Sequence, residues 1–185
     1  MSQIKVDSIV PVSGVVSGQG GGIVQVVSAF KGDRFTTSST SFVDISGLSL
    51  TITPKSVNNK ILLMGSFGAA AVRQSNLDHG QAIRVLRNGS SDNKLNGSAD
   101  GDRQRCCWKG NGNQYNADHN PGGQGFSGVD DPSTVSAVTY KVQVSCQSST
   151  YPFILNGNSN NTNGSQVYNG RFMSSLIAME ISGWV

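Results

Sequence analysis

Between Val138 and Cys146 apolar and polar residues alternate without a break: Val138, Tyr140, Val142, Val144 and Cys146 hold one parity, Thr139, Lys141, Gln143 and Ser145 the other. Successive side chains of an extended chain point to opposite faces, so this run predicts a strand with one side in a core and one in water. Such a strand is stable only beside other strands and over a second apolar layer. Ile23–Val27, Lys60–Phe67, Ala82–Arg87, Tyr151–Leu155 and Arg171–Ile181 read as further strands. Phe42–Ile45 and Leu48–Thr53 form one stretch whose apolar parity switches across Ser46-Gly47, the signature of a bulge. Pro54 ends it. Asn88-Gly89 reads as a tight turn, and Asn156-Gly157-Asn158 closes the Tyr151–Leu155 strand.

Helices lack material. Glutamate occurs once, at Glu180, and lysine seven times, whereas Ser, Gly, Asn and Thr supply 75 of 185 residues. Those four types favour turns and strands. Hydrophobic residues make up 36% and charged residues 14%, against averages of roughly 45–50% and about 25% for globular domains. Helical bundles, coiled coils and doubly wound α/β enzymes are excluded on this basis. The expected class is all-β: an antiparallel, jelly-roll-like β-sandwich head over residues 23–185, with an extended N-terminal arm over 1–22.

In that arm, Ile4, Val6, Ile9, Val10 and Val12 are interspersed with Ser and Gly and followed by a glycine-rich hinge. A segment this short cannot bury its own apolar side chains, so it is expected to order by docking on a larger body, and those five residues are the candidate attachment contacts. Residues 90–133 break the strand rhythm and read as a long loop insertion, with Arg103–Trp108 as its one strand. Loops of this length in compact domains are usually functional or disordered, and aromatic residues favour function.

Within the insertion Trp108, Tyr115, Asp118 and His119 are the candidate ligand-binding residues. Aromatic faces pack on the apolar side of a sugar ring, while amides and acids take its hydroxyls. The competing reading makes Trp108 part of the core. Gly123-Gln124-Gly125-Phe126-Ser127-Gly128 matches a dinucleotide fingerprint in spacing alone. It lacks the strand-to-helix context and reads as a loop. Asp100/Asp102 and Asp130/Asp131 are candidate carboxylate pairs for glycoside hydrolysis, but all four sit in Gly- or Pro-rich turns and read as turn caps. His79 and His119 supply no metal set within one chain, although three copies of one histidine could meet on a trimer axis. Neither a metal nor a cofactor is expected, and no enzymatic activity.

The net charge of +3 is dispersed, which argues against a nucleic-acid partner. No apolar run approaches the ~20 residues of a membrane span, so no membrane insertion is expected. The start carries no secretory signal, and the three cysteines read as reduced thiols: Cys106 and Cys107 adjacent and not paired with each other, Cys146 buried. Folding in a cytoplasm is the expectation.

Several stretches together resemble a known group. Ser2–Val10, Gly21–Val27, the run Phe42–Pro54 and the ending Ser174–Ile181 are similar to small tail-fibre and virion structural proteins of marine bacteriophages, cyanophages included. The resemblance covers about residues 2–67 and 135–181, omits the insertion and carries no catalytic residue. It implies an N-terminal arm fixed to other virion structural proteins and a C1q/TNF-like sandwich head forming a homotrimer, the whole made in the host cytoplasm and located in the virion. The role it implies is host attachment, through a surface glycan or protein. A capsid decoration protein or head fibre is the alternative, and a polysaccharide depolymerase a more distant one. The low charge fits packing against identical copies, with Met173, Ile177 and Met179 as candidate contacts.

Overall fold

The structure, a computed structural model, describes residues 22–70, 80–111, 123–150, 152–158, 161, 163–166 and 169–182. Among these residues the chain forms β1 (Ile23–Lys31), β2 (Phe35–Thr37), β3 (Val43–Ile52), β4 (Lys60–Phe67), β5 (Ala69–Ala70), β6 (Gly80–Arg87), β7 (Trp108–Asn111), β8 (Gln124–Asp130), β9 (Val138–Cys146), β10 (Phe153–Leu155) and β11 (Ser174–Ile181). Two four-stranded antiparallel sheets, β1-β11-β4-β8 and β3-β9-β6-β7, enclose the core, and a three-stranded sheet, β2-β10-β5, adds Phe153 and Leu155 to it. The first strand pairs with the last, and β3 pairs with β9, so the chain winds between the sheets as a jelly roll does. The all-β sandwich read from the sequence is the architecture observed.

The core is built from the inward parity of each strand. Ile61, Leu63, Phe67, Leu176 and Ala178 come from one sheet, and Ile45, Leu48, Leu50, Ile52, Ile83, Val85, Val138, Tyr140, Val142 and Val144 from the other. Each fully buried aliphatic side chain contributes about 1.5–3 kcal/mol by leaving water. In β9 the predicted apolar parity is buried throughout. The bulge is also present. The β3–β9 register shifts between Asp44 and Ser49, and Gly47 takes φ +86°, so Ile45 and Leu48 both point inward. Asn88 and Gly89 form the expected tight turn with positive φ at both positions.

The segment 90–133 departs from the long loop expected of it. It carries two sheet-edge strands: β7 beside β6, and β8 beside β4 along seven residue pairs. The predicted Arg103–Trp108 strand instead begins at Trp108. The fingerprint-like stretch from Gly123 is likewise no loop, since Gln124–Asp130 is β8. Its glycines disguised it: a Cβ on Gly125 would stand 2.9 Å from the Gly65 carbonyl oxygen, so a bare backbone is required there. Opposite, Gly65 leaves room for Phe126, whose ring lies 5.8 Å from that of Phe67.

Beyond β7, the free edge of β6 is sealed by side chains. Asn96 accepts from the Val85 amide at 2.9 Å and donates to the Val85 carbonyl at 2.6 Å, and Asn93 donates to the same carbonyl at 3.0 Å. An asparagine thus replaces the missing strand partner, satisfying backbone groups that would otherwise invite another chain.

Candidate functional site

The two outer faces of the sandwich differ in kind. Outside β3-β9-β6, polar side chains are tied to one another: Arg84 donates to Gln143 at 2.8 Å and lies 3.9 Å from the Phe42 ring centroid, and Gln143 and Lys141 donate to Asp44 at 2.6 and 3.2 Å. The Asp44 carboxyl is held below its ordinary range, mainly by the Gln143 hydrogen bond and then by Lys141. This is a solvated surface.

Outside β1-β11-β4-β8 the register builds apolar rows instead. Val26, Met179, Leu62 and Val129 stand opposite one another across all four strands, with Ile177 and Met64 side by side in the next row. Ile23, Val26 and Phe30 are 62%, 53% and 59% exposed, and Met173 beside the sheet is 62% exposed. Lys60 is the only charged side chain on this face of the four strands, and it is paired with Asp131 at 2.6 Å. The outward face of this sheet is thus apolar along the Val26–Val129 row and mixed beyond it, with Ser28, Ser66, Ser127 and Ser175 among its members, and an exposed apolar patch of this kind marks an interaction surface.

The Gly22 carbonyl accepts from the Ser182 amide at 3.0 Å, beside the exposed Ile23. The arm residues Ile4, Val6, Ile9, Val10 and Val12 lie outside the described residues, as do Tyr115, Asp118, His119 and His79. Trp108 is described: half-buried, opposite Ile83 in the β6–β7 pair and packed against the core. Its place is structural at least in part, as the competing reading held.

Three of the four paired carboxylates have partners of their own. Asp130, fully buried at the end of β8 and not in an exposed turn, accepts from Arg87 through both oxygens at 3.0 Å and from the Tyr140 hydroxyl at 2.8 Å. Asp131 is held below the usual carboxylate range by Lys60, Ser133 and Lys94. The environment of Asp131 is the reverse of what a general acid with a raised pKa requires. Asp100 is paired with Arg103 at 2.6 Å on the surface. Arg87, Lys94, Asp130 and Asp131 line a cavity of about 470 Å³ with Asp92 and Arg105, the last two paired at 2.8 Å. Among the described residues no three His, Cys, Asp or Glu side chains converge as a metal set, and no helix is long and apolar enough to cross a membrane.

A second cavity, of about 570 Å³, opens at the Gly80 end of β6. Gln81, Gln104, Gln147 and Ser145 line it together with Arg103 and Lys109. Gln81 is only 5% exposed. Lys109 is exposed and unpaired among the described residues. Sequence reasoning passed over both. Gln81 occupies an inward position opposite Cys146, and a glutamine on the apolar parity of a strand was the available signal.

Cys107 donates to the Ile83 carbonyl, and burial pushes its thiol up to about 12. Cys146 is buried as expected, and all three cysteines are free thiols. No protein-family model matches this sequence, and no curated protein matches it either.

Proposed function

We propose that this chain is a bacteriophage virion appendage, its arm over 1–22 fixed to other virion structural proteins and its head forming a homotrimer that meets the host surface. The observation that carries this reading is the outward apolar face of β1-β11-β4-β8, set against the polar face on the other side of the sandwich. A symmetric oligomer buries such a face against its own copies, and the near-absence of charge there allows like to meet like without repulsion. The polar face and the loops would then remain outside, available to a host glycan or protein. Three heads on one axis turn weak single contacts into firm attachment. Gly22, the first described residue, lies beside the same sheet, which supports an arm that starts near the proposed trimer contact.

Deleting residues 1–22 tests anchoring. The truncated head is expected to fold and trimerise but to be missing from purified particles. Incorporation at the wild-type level would overturn the attachment claim.

A further inference from the structure

We propose that Arg34 and Arg171, which meet over Gly157 at one end of the sandwich, bind a tetrahedral oxyanion, a sulfate or phosphate group. Buried hydrogen bonds fix the place. Asn156, fully buried after β10, donates from its side-chain amide to the carbonyls of Lys31 and Asp33 at 2.7 and 3.1 Å. Its Oδ1 accepts from the Ser174 hydroxyl at 2.6 Å. The turn after β1 is thereby pinned to the start of β11, which brings Arg34 and Arg171 to the same glycine. A Cβ on Gly157 would lie 2.8 Å from Arg171 Nη1 and 3.2 Å from Arg34 Cδ. The φ of Gly157 is outside the left-handed range, so room for the two side chains, and not backbone freedom, calls for glycine here.

Two guanidiniums side by side repel and call for an anion between them. Among the described residues none supplies one. Arg171 Nη2 donates to the neutral Asn161 Oδ1 at 2.6 Å, and Arg34 has neither a hydrogen-bond nor an ion-pair partner. Asp33, the nearest acid in sequence, is taken by Lys31 at 2.8 Å, and no acidic residue occurs between Asp131 and Glu180. Arg34 Nε is sealed from solvent with no acceptor, an uncompensated cost that native structures rarely carry without a reason. The terminal nitrogens of Arg34 are not sealed, and Arg171 is exposed. Charged donors from two side chains therefore stand open beside one glycine. A carboxylate is satisfied by a single guanidinium fork, and the closed Nε removes one edge of the Arg34 fork. A sulfate or phosphate group has oxygens for both side chains.

The test is an NMR titration of the isotope-labelled full chain at constant ionic strength with sodium sulfate, sodium phosphate, a glucose sulfate ester, glucose and glucuronate. It is run on the wild type and on the Arg171→Gln, Arg34→Gln and Arg103→Gln variants. Expected are saturable shifts of the Gly157 amide with sulfate, phosphate and the ester, none with glucose, and binding of glucuronate at least tenfold weaker. Arg171→Gln, at an exposed position, is expected to fold as wild type and to lose binding at least tenfold. Arg34→Gln is expected to lose it too, and should that variant fail to fold, Arg171→Gln decides alone. Arg103, exposed and paired with Asp100, is the control, and Arg103→Gln is expected to bind as wild type. Saturation by the ester at lower concentration than by free sulfate assigns an esterified ligand; otherwise the ligand is the free ion. No saturable shift at Gly157, equal binding of glucuronate, insensitivity to Arg171→Gln, or an equal loss in Arg103→Gln overturns the site.

Discussion

The hydroxyl of Tyr140 donates to the carboxylate of Asp130 at 2.8 Å, joining β9 of one sheet to β8 of the other through the closed interior of the sandwich. Arg87, at the end of β6, reaches the same carboxylate at 3.0 Å, so three strands from two sheets meet on one buried anion. Burial first, and then the charge of Asp130, raise the Tyr140 phenol far above its ordinary pKa, so the hydroxyl keeps its proton and donates at neutral pH. Tyr140→Phe is expected to cost about 1.5–3 kcal/mol, the range for a hydrogen bond to a charged group. Asp130→Ala is expected to cost more, about 3–5 kcal/mol, because it strands the Arg87 charge. Urea denaturation of the two variants checks the order, and equal stability of both with wild type would mean the clamp is not structural.

The outward apolar rows make a separate prediction. Met179 sits mid-sheet between Val26 and Leu62, so Met179→Lys places a charge at the centre of the proposed trimer contact. Sedimentation velocity is expected to show a shift from trimer to monomer, with the far-UV circular dichroism of the sandwich unchanged. A trimer that survives this change must use another face.

Glu180, the chain's only glutamate, is buried at the end of β11 and accepts from the Lys55 amide and the Asn59 side chain at 2.6 Å and from Gln25 at 2.5 Å. Burial alone would raise its pKa. The hydrogen bonds from Asn59, Gln25 and the Lys55 backbone outweigh it and hold the carboxyl below its ordinary value. A carboxyl depressed in the folded state adds stability above its unfolded pKa and withdraws it as pH falls through the folded one. Thermal melts between about pH 7 and pH 2 are therefore expected to show Tm falling below about pH 4.5, the unfolded range of a glutamate. Glu180→Gln should lower Tm at neutral pH and make that acid limb shallower. An unchanged limb would assign acid sensitivity to other carboxylates.

Gly65 and Phe126 form a fitted pair across β4 and β8. A Cβ at Gly65 would come within 2.8 Å of Phe126 Cδ1 and 2.9 Å of Phe67 Cζ. Gly65→Ala is expected to destabilise by about 1–3 kcal/mol, as overpacking does. In a Phe126→Ala background the same substitution should cost clearly less, since the clash with that ring is gone and only the approach to Phe67 Cζ remains. A double-mutant cycle reads that coupling, and simple additivity would show that the ring yields without strain.

Strands whose two parities differ in polarity could be read directly. Val138–Cys146 and the bulged Phe42–Thr53 stretch declare their buried sides in the order of residues, because a side-chain period of two is local. Strand β8 hid itself. Gly125 and Gly128 replace side chains that would clash with Gly65 and Leu95, and a strand selected for close approach looks in sequence like a turn. Trp108 was read two ways for a related reason: an aromatic residue between polar neighbours fits a binding surface and a sheet edge equally well. Gln81 stood out only by lying on the apolar parity of its strand, because whether a glutamine is satisfied depends on groups far along the chain.

The sequence by itself determined the all-β class, the positions of most core strands and the parity that faces inward, since composition and alternation act residue by residue. Only the tertiary structure decided which strands are neighbours. That choice turned scattered residues such as Val26, Leu62, Val129 and Met179 into one apolar row, and gathered Arg87, Asp130 and Tyr140 around one charge. Pairing across long loops depends on the summed fit of many distant contacts, and no local pattern encodes that sum.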